Sequence, residues 1–197
     1  MIFNHLFSSF YLQEKLNLDI EPIEKFCLEL KQKDSGRFIS NYGGWQSSLL
    51  ENEFTELQPV ISKIKNKFGL MKEVFGLRDD VSLSIGSHWI NINTKQNFNL
   101  PHIHPFSLAS AVYYVKVPKD SGKLVFENPI QHHDYVILPD TVKDYNAFNS
   151  GYWSVLPEKN DLIFFPSWLR HWVEPSGTDE ERISIAFNIQ IDRSGYE

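Results

Sequence analysis

Leu100-Pro101-His102-Ile103-His104-Pro105 places two imidazoles two positions apart, just ahead of a run of β-prone residues. In an extended chain, residues i and i+2 point to the same face, so His102 and His104 can aim at one point. Neutral imidazole is a common ligand for iron, zinc, copper and nickel. The stretch therefore needs two things from the rest of the chain: a sheet to sit on and a third ligand.

Outward from the histidines the sequence reads as β. Val81 to Ile85 alternates strictly between apolar and polar residues, and Trp89 to Asn93 alternates again. Ala109 to Val117 is a continuous β-prone run. Lys123 to Phe126, Tyr135 to Leu138, Leu162 to Phe165, His171 to Glu174 and Ile183 to Ile191 follow, with Pro, Gly, Asn and Asp between them. Many short strands punctuated by turn residues predict a sandwich, jelly roll or barrel.

The front of the chain reads differently. From Leu16 to Lys33, Ile20, Ile23, Cys27 and Leu30 recur at helical spacing, and Asp34-Ser35-Gly36 ends the run. A second helix is predicted from Glu56 to Phe75, with Leu57, Ile61, Ile64 and Phe68 on one stripe and Pro59 in its first turn. Residues 1–12 are apolar and aromatic and read as a strand or arm packed on the core. One domain is expected over 1–197, with helical support in 1–80 and the β core in 81–197.

Composition narrows the classes. The chain has 197 residues, 42% of them hydrophobic and 14% aromatic, which suffices for one sizeable core. A net charge of −6 without a Lys/Arg block argues against nonspecific nucleic-acid binding. A single cysteine, Cys27, excludes an internal disulfide framework, fits a reducing cytoplasm and is expected to be a buried thiol. The N-terminus has no basic region followed by an apolar run, and no stretch is long and apolar enough for a membrane span. A soluble cytoplasmic protein is expected.

A third ligand candidate is His171, enclosed by aromatics in Phe164-Phe-Pro-Ser-Trp-Leu-Arg-His-Trp172. Eleven residues later Arg182 opens the last strand, and a polar turn between them suggests a hairpin that brings Arg182 and Ser184 near His171. Arg182, Ser184, Ala186 and Asn188 share one face of that strand, and Ile183, Ile185 and Phe187 share the other. An arginine on the inward face of a sandwich needs an anion, and guanidinium matches a carboxylate bidentately. The plainer alternative is a surface pair with Glu174 or Glu181.

These motifs together resemble the Fe(II)- and 2-oxoglutarate-dependent oxygenases, in their prolyl-hydroxylase-like branch. The resemblance rests on His102-x-His104, Val112-Tyr-Tyr-Val115, Ser121-Gly-Lys-Leu124, Leu162-Ile-Phe-Phe165, His171 and Arg182-x-Ser184. A narrower similarity to a group of bacterial and phage members rests on Asn41-Tyr-Gly-Gly-Trp-Gln-Ser47, Trp89-Ile-Asn91 and Phe165-Pro-Ser-Trp-Leu-Arg-His171. It implies a double-stranded β-helix, a jelly roll with N-terminal helices on one sheet. It also implies Fe(II), 2-oxoglutarate and O₂ as cofactor and cosubstrates, with His102 and His171 as iron ligands. Arg182, Ser184 and Tyr114 fall on the positions that hold the far carboxylate of 2-oxoglutarate. The family motif is His-x-Asp/Glu, and here His104 stands at the carboxylate position: it is either a third imidazole ligand or a bystander with water in its place.

Other polar residues carry smaller expectations. Asn91, an amide on an otherwise apolar strand, is expected beside the cosubstrate, and Trp45, Trp89 and Asn93 either line the pocket or pack in the core. Ser40 to Ser47 is expected to be a shaped loop forming a pocket wall. His88 is either behind the site or packed, and His5 is structural. His132 and His133 are adjacent, so they cannot chelate together from one strand; they read as surface loop or substrate entrance. The substrate is left open among a small molecule, a peptide and a nucleobase, and small family members often form homodimers. Two rival functions remain: a cupin-type three-histidine metalloenzyme without 2-oxoglutarate, and a non-catalytic jelly-roll binding module.

Overall fold

A computed structural model describes residues 1–2, 4, 6–50, 54–130 and 138–192. His5, the His132–His133 pair and most of the strand expected at Tyr135 to Leu138 lie outside the described residues; Leu138 itself is not in a strand.

The chain runs β1 (Leu12–Lys15), α1 (Glu21–Lys33), β2 (Asn41–Tyr42), β3 (Trp45–Gln46), α2 (Gln58–Lys65) and α3 (Phe68–Val74). There follow β4 (Ser82–Asn93), β5 (Phe98–His102), β6 (Ala109–Lys116) and β7 (Leu124–Glu127). The last four are β8 (Tyr152–Val155), β9 (Asp161–Pro166), β10 (His171–Val173) and β11 (Arg182–Asp192). Two antiparallel sheets result. One is six-stranded, in the order β1-β9-β6-β11-β4-β3, and the other five-stranded, in the order β2-β5-β10-β7-β8. This is the jelly-roll arrangement that the strand pattern predicts.

The six-stranded sheet has two buried faces. Its outer face (Ile90, Ile92, Tyr113, Val115, Ile183, Ile185, Phe187) packs with Ile23 and Cys27 of α1, Val60, Ile61 and Ile64 of α2, and Met71 of α3. Its inner face meets the second sheet through a smaller cluster of Tyr114, Ile163, Phe165, Leu124, Phe126, Val155 and Leu169. The helices thus cover one sheet, as expected, and the space between the sheets is left for polar residues.

Both helices begin or break differently from the periodic pattern. α1 starts at Glu21, not Leu16, because Pro22 sits in its first turn and is tolerated only there. Leu16 and Leu18 instead bond to Asn160. The second helical run is divided. After a 3₁₀ turn at Thr55–Leu57, α2 ends where Lys67 N–H closes on Ile64 O (2.9 Å), and α3 starts anew at Phe68. Pro59 lies in the first turn of α2, as expected. Among the described residues of the N-terminal arm, the end packs: Tyr11 stacks on Phe126 (5.8 Å) and Phe10 meets Phe75 (5.7 Å), while Ile2, Leu6 and Phe7 are exposed.

Two strand expectations are corrected. Val81 to Ile85 and Trp89 to Asn93 belong to one strand, β4. Phe187 pairs with His88 and Ile189 with Ile85, so Gly86 and Ser87 together oppose the single residue Asn188. This β-bulge shifts the alternation by one. Leu83 and Ile85 pack with the helix-side core before it, and Ile90 and Ile92 after it. A Cβ on Gly86 would press on the Gln190 amide at 2.6 Å, so glycine suits the bulge. Second, β10 and β11 are no hairpin. β10 pairs with β5 and β7, and β11 with β4 and β6, because the chain crosses between sheets after Val173.

Cys27 is fully buried and its thiol is pushed up to about 12, chiefly by burial. It should therefore resist a thiol reagent such as DTNB at pH 8 in the native protein and react stoichiometrically on unfolding in guanidinium. Rapid native reaction would contradict its packing under α1.

Candidate metal centre

β5 ends at His102, and His171 lies directly opposite it at the start of β10. His104 follows β5 in a loop tied by its own N–H to Ser167 O (2.9 Å). These links bring the three imidazoles together. Each offers one nitrogen, and the three nitrogens lie within 4.8 Å of one another. His104 and His171 are buried and His102 is half-buried.

The hydrogen bonds say which nitrogen each ring presents. His102 Nδ1 lies 2.6 Å from Leu100 O, and His171 Nδ1 lies 2.9 Å from Leu169 O. A carbonyl only accepts, so each Nδ1 carries the proton and each Nε2 keeps its lone pair. His104 Nδ1 lies 2.7 Å from Asn188 Oδ1, and His104 Nε2 is buried with no hydrogen-bond partner. Three neutral imidazoles with their N–H groups anchored and their Nε2 atoms converging form a donor set that fits a first-row divalent metal.

Electrostatics agree with neutral rings. Burial, and then the neighbouring His102, push His104 down to about 4, against the bond to Asn188. Burial also lowers His102, opposed by its bond to Leu100. Burial, followed by His102 and His104, takes His171 well below the ordinary imidazole value. Phe165 (4.5 Å) and Phe126 (6.4 Å) flank the His171 ring, and Trp89 flanks His104 (5.4 Å).

At the other end of the same inner face sits Arg182, only 2% exposed. Its Nη1 donates to Ser121 O (3.1 Å), and the Asn93 amide, turned to present its oxygen, accepts from Nη2 at 3.0 Å. Its Nε is buried without a partner. Among the described residues no carboxylate pairs with it, and Glu181 bonds to Lys31 instead. Burial draws the pKa of Arg182 down, yet a guanidinium stays charged in proteins, so a cation stands in the sandwich without an anion. Tyr114 interacts electrostatically with it, a phenol pushed up to about 12 by burial and hence neutral. Arg182 and Asn188 are six residues apart on one strand face, roughly 20 Å along the backbone. Only the small side chains of Ser184 and Ala186 stand between them on that face.

Comparison with protein families matches residues 87–188, just over half of the chain, to a family described as "Putative 2OG-Fe(II) oxygenase". The chain belongs to this family. Comparison with curated protein sequences gives no match. Among solved structures it is similar to the viral collagen prolyl hydroxylase of Paramecium Bursaria Chlorella virus-1 (TM-score 0.61, 14% identity, 91% of this chain and 94% of that one). It is also similar to a Pseudomonas putida prolyl-4-hydroxylase (0.60, 16%, 91% and 91%). A third is the α-ketoglutarate-dependent carbocyclase SnoK of nogalamycin biosynthesis (0.64, 14%, 92% and 79%). At such identities the likeness establishes the shared fold.

Within this 2OG-Fe(II) oxygenase the expected residues fall as follows. His102, His104 and His171 meet, and Arg182, Ser184, Tyr114 and Asn91 all face the interior, with Ser184 opposite both Asn91 and Tyr114. Asn91 Oδ1 is buried and unpartnered. Alternation separates the two tyrosines as expected: Tyr113 packs on the helix side and donates to Asn160 Oδ1 (2.6 Å). His88 stacks on Phe187 (5.4 Å) on the helix side, so it is packed and not behind the site. Trp45 also packs there, its Nε1 donating to Asp34 O (2.9 Å).

Ser40 to Ser47 is less a loop than a strap across the two sheets. β2 joins β5 and β3 joins β4. Gly44 must be glycine, since a Cβ there would collide with the Asn93 side-chain amide, whose other end faces Arg182. Sequence reasoning gave no individual role to Asn188 or Ser110. Asn188 shares the Arg182 face, and that position is the available signal; Ser110 offers none. A separate cavity of about 760 Å³ lies between the N-terminal arm and β7 and β8, lined by Phe10, Tyr11, Phe126, Phe148, Trp153 and Leu169 among others. No helix among the described residues is long and apolar enough to cross a membrane.

The lowered histidine pKa values fix a sign for acid stability. A folded pKa below the unfolded value near 6.5 means that protons bind the unfolded chain more readily. The stabilisation is complete above about pH 6.5 and is lost as pH falls towards about 4, where His104 charges in the folded state. The urea midpoint of the metal-free protein should therefore drop across that window, and less steeply in His104→Gln. A flat profile would contradict the neutral, buried cluster.

Proposed function

We propose that this chain is a non-haem Fe(II)- and 2-oxoglutarate-dependent dioxygenase that oxidises its substrate while 2-oxoglutarate is converted to succinate and CO₂. The observation that carries the proposal is the pairing, inside one sandwich, of three imidazoles whose ligand nitrogens lie within 4.8 Å of one another with a buried Arg182 that has no carboxylate partner among the described residues.

His102, His104 and His171 would hold the metal through Nε2. The metal, once bound, would supply the O₂ chemistry that no side chain can. Arg182 binds the far carboxylate of 2-oxoglutarate, with Ser184 and the neutral phenol of Tyr114 beside it, and Asn91 presents its amide to the same interior. Three neutral ligands leave the full positive charge of the metal uncompensated by protein. That favours an anionic chelating cosubstrate more than a site holding a carboxylate would. The paired sheets and the aromatic rings around His171 and His104 keep water out and strengthen both attractions.

The substrate reading rests on the cavity against β7 and β8. Its aromatic lining, and its position next to Phe126 and Leu169 behind His171, support a substrate with an apolar or aromatic portion. The buried, unreactive Cys27 agrees with a cytoplasmic protein. A cupin-type enzyme that uses O₂ without 2-oxoglutarate is the reading that His104 by itself would favour; unpaired Arg182 weighs against it.

The test is anaerobic titration of the Fe(II)-loaded protein with 2-oxoglutarate, followed by the visible charge-transfer band of the chelate. Removing a charge-assisted buried pair costs about 2–5 kcal/mol, so Arg182→Met should weaken 2-oxoglutarate at least roughly 30-fold. Unchanged affinity would sink the Arg182 assignment. Iron binding with no band in the wild type would hand the site to the cupin-type reading.

A further inference from the structure

His102 and His171 anchor their Nδ1–H groups locally, each on the carbonyl two residues before it. His104 does not. Its Nδ1 meets two side chains of the opposite sheet: Asn188 Oδ1 on β11 (2.7 Å) and Ser110 Oγ on β6 (2.7 Å), which face each other in register. The Asn188 amide could in principle present either end. Its Nδ2, however, donates to Ser87 Oγ on β4 (2.9 Å), which turns Oδ1 towards His104. Ser110 Oγ adds a bond to the same Oδ1 (3.2 Å). Ser87 reaches this place only because the bulge sets Gly86 and Ser87 together opposite Asn188.

We propose that Asn188 is a positioning residue that, locked by Ser87 and Ser110, holds His104 in its Nδ1–H tautomer so that Nε2 serves as the third metal ligand. The proposal rests on the three-histidine reading above. The reverse amide orientation would leave Nδ1 as acceptor and put a proton on Nε2, aimed into the cluster, where it would block ligation. The carboxylate of the family motif needs no such device, since either of its oxygens can bind. A histidine at that position does, and the chain meets the requirement from three strands of the facing sheet.

Two measurements on the full chain test this. Long-range ¹H–¹⁵N correlation on metal-free protein reports the tautomer directly, with His104 assigned through His104→Gln. The wild type should show Nδ1–H. Asn188→Leu, which cannot accept, should move His104 to Nε2–H or a mixture, and Asn188→Asp, which keeps an acceptor, should restore Nδ1–H. Co(II) affinity by calorimetry should fall about 10–100-fold in Asn188→Leu and recover in Asn188→Asp. A wild-type tautomer and wild-type affinity in Asn188→Leu would overturn the proposal. Should that variant fail to fold, Ser87→Ala, which frees the amide without touching His104, must show the same tautomer shift, and its absence overturns the proposal equally. If the tautomer follows these variants but His104→Gln binds Co(II) like the wild type, the three-ligand reading fails while the tautomer lock stands.

Discussion

Three imidazoles sharing a small, largely dry volume is the constraint on which this structure depends. A charged ring there would be desolvated and repelled by its neighbours, and a neutral ring needs a partner for its one N–H. The chain supplies those partners in two ways. β5 and the turn before β10 return the carbonyls of Leu100 and Leu169 to His102 and His171. The six-stranded sheet reaches across the sandwich to His104. What is left is three lone pairs in one place, an arrangement that is costly without a metal and favourable with one.

The same inner face carries the opposite problem at its other end. Among the described residues, Arg182 is buried with the Ser121 carbonyl and the Asn93 amide as the groups that solvate its charge. The two ends of this face lack what a 2-oxoglutarate dianion and a divalent metal would provide together. The helices contribute indirectly. By covering the outer face of that sheet they fix which alternate residues of β4, β6 and β11 face the cavity.

Much of this was legible in the sequence because alternation is unforgiving. His102 and His104 at i and i+2, Arg182 and Ser184 on one face, and the separation of Tyr113 from Tyr114 all follow from a period of two. Where the period fails, so does the reading. The bulge at Gly86 and Ser87 makes β4 look like two strands out of phase, and it hides the partner of Asn188. Pro101 masked β5, whose last residue is His102. The polar turn before Arg182 suggests a hairpin, whereas the chain changes sheets there; Arg182 and His171 nevertheless face the same interior from opposite sheets. Asn188 shares the Arg182 face, but nothing local marks an asparagine as the partner of a histidine 84 residues away.

The metal centre turns on His104 replacing the carboxylate as a true ligand. X-ray absorption on the anaerobic Fe(II)-loaded protein tests it most directly, because imidazole rings scatter in a way that allows them to be counted. Three imidazoles are expected at the iron, falling to two in His104→Gln. Two imidazoles in the wild type, with a spectrum unchanged by His104→Gln, would contradict it.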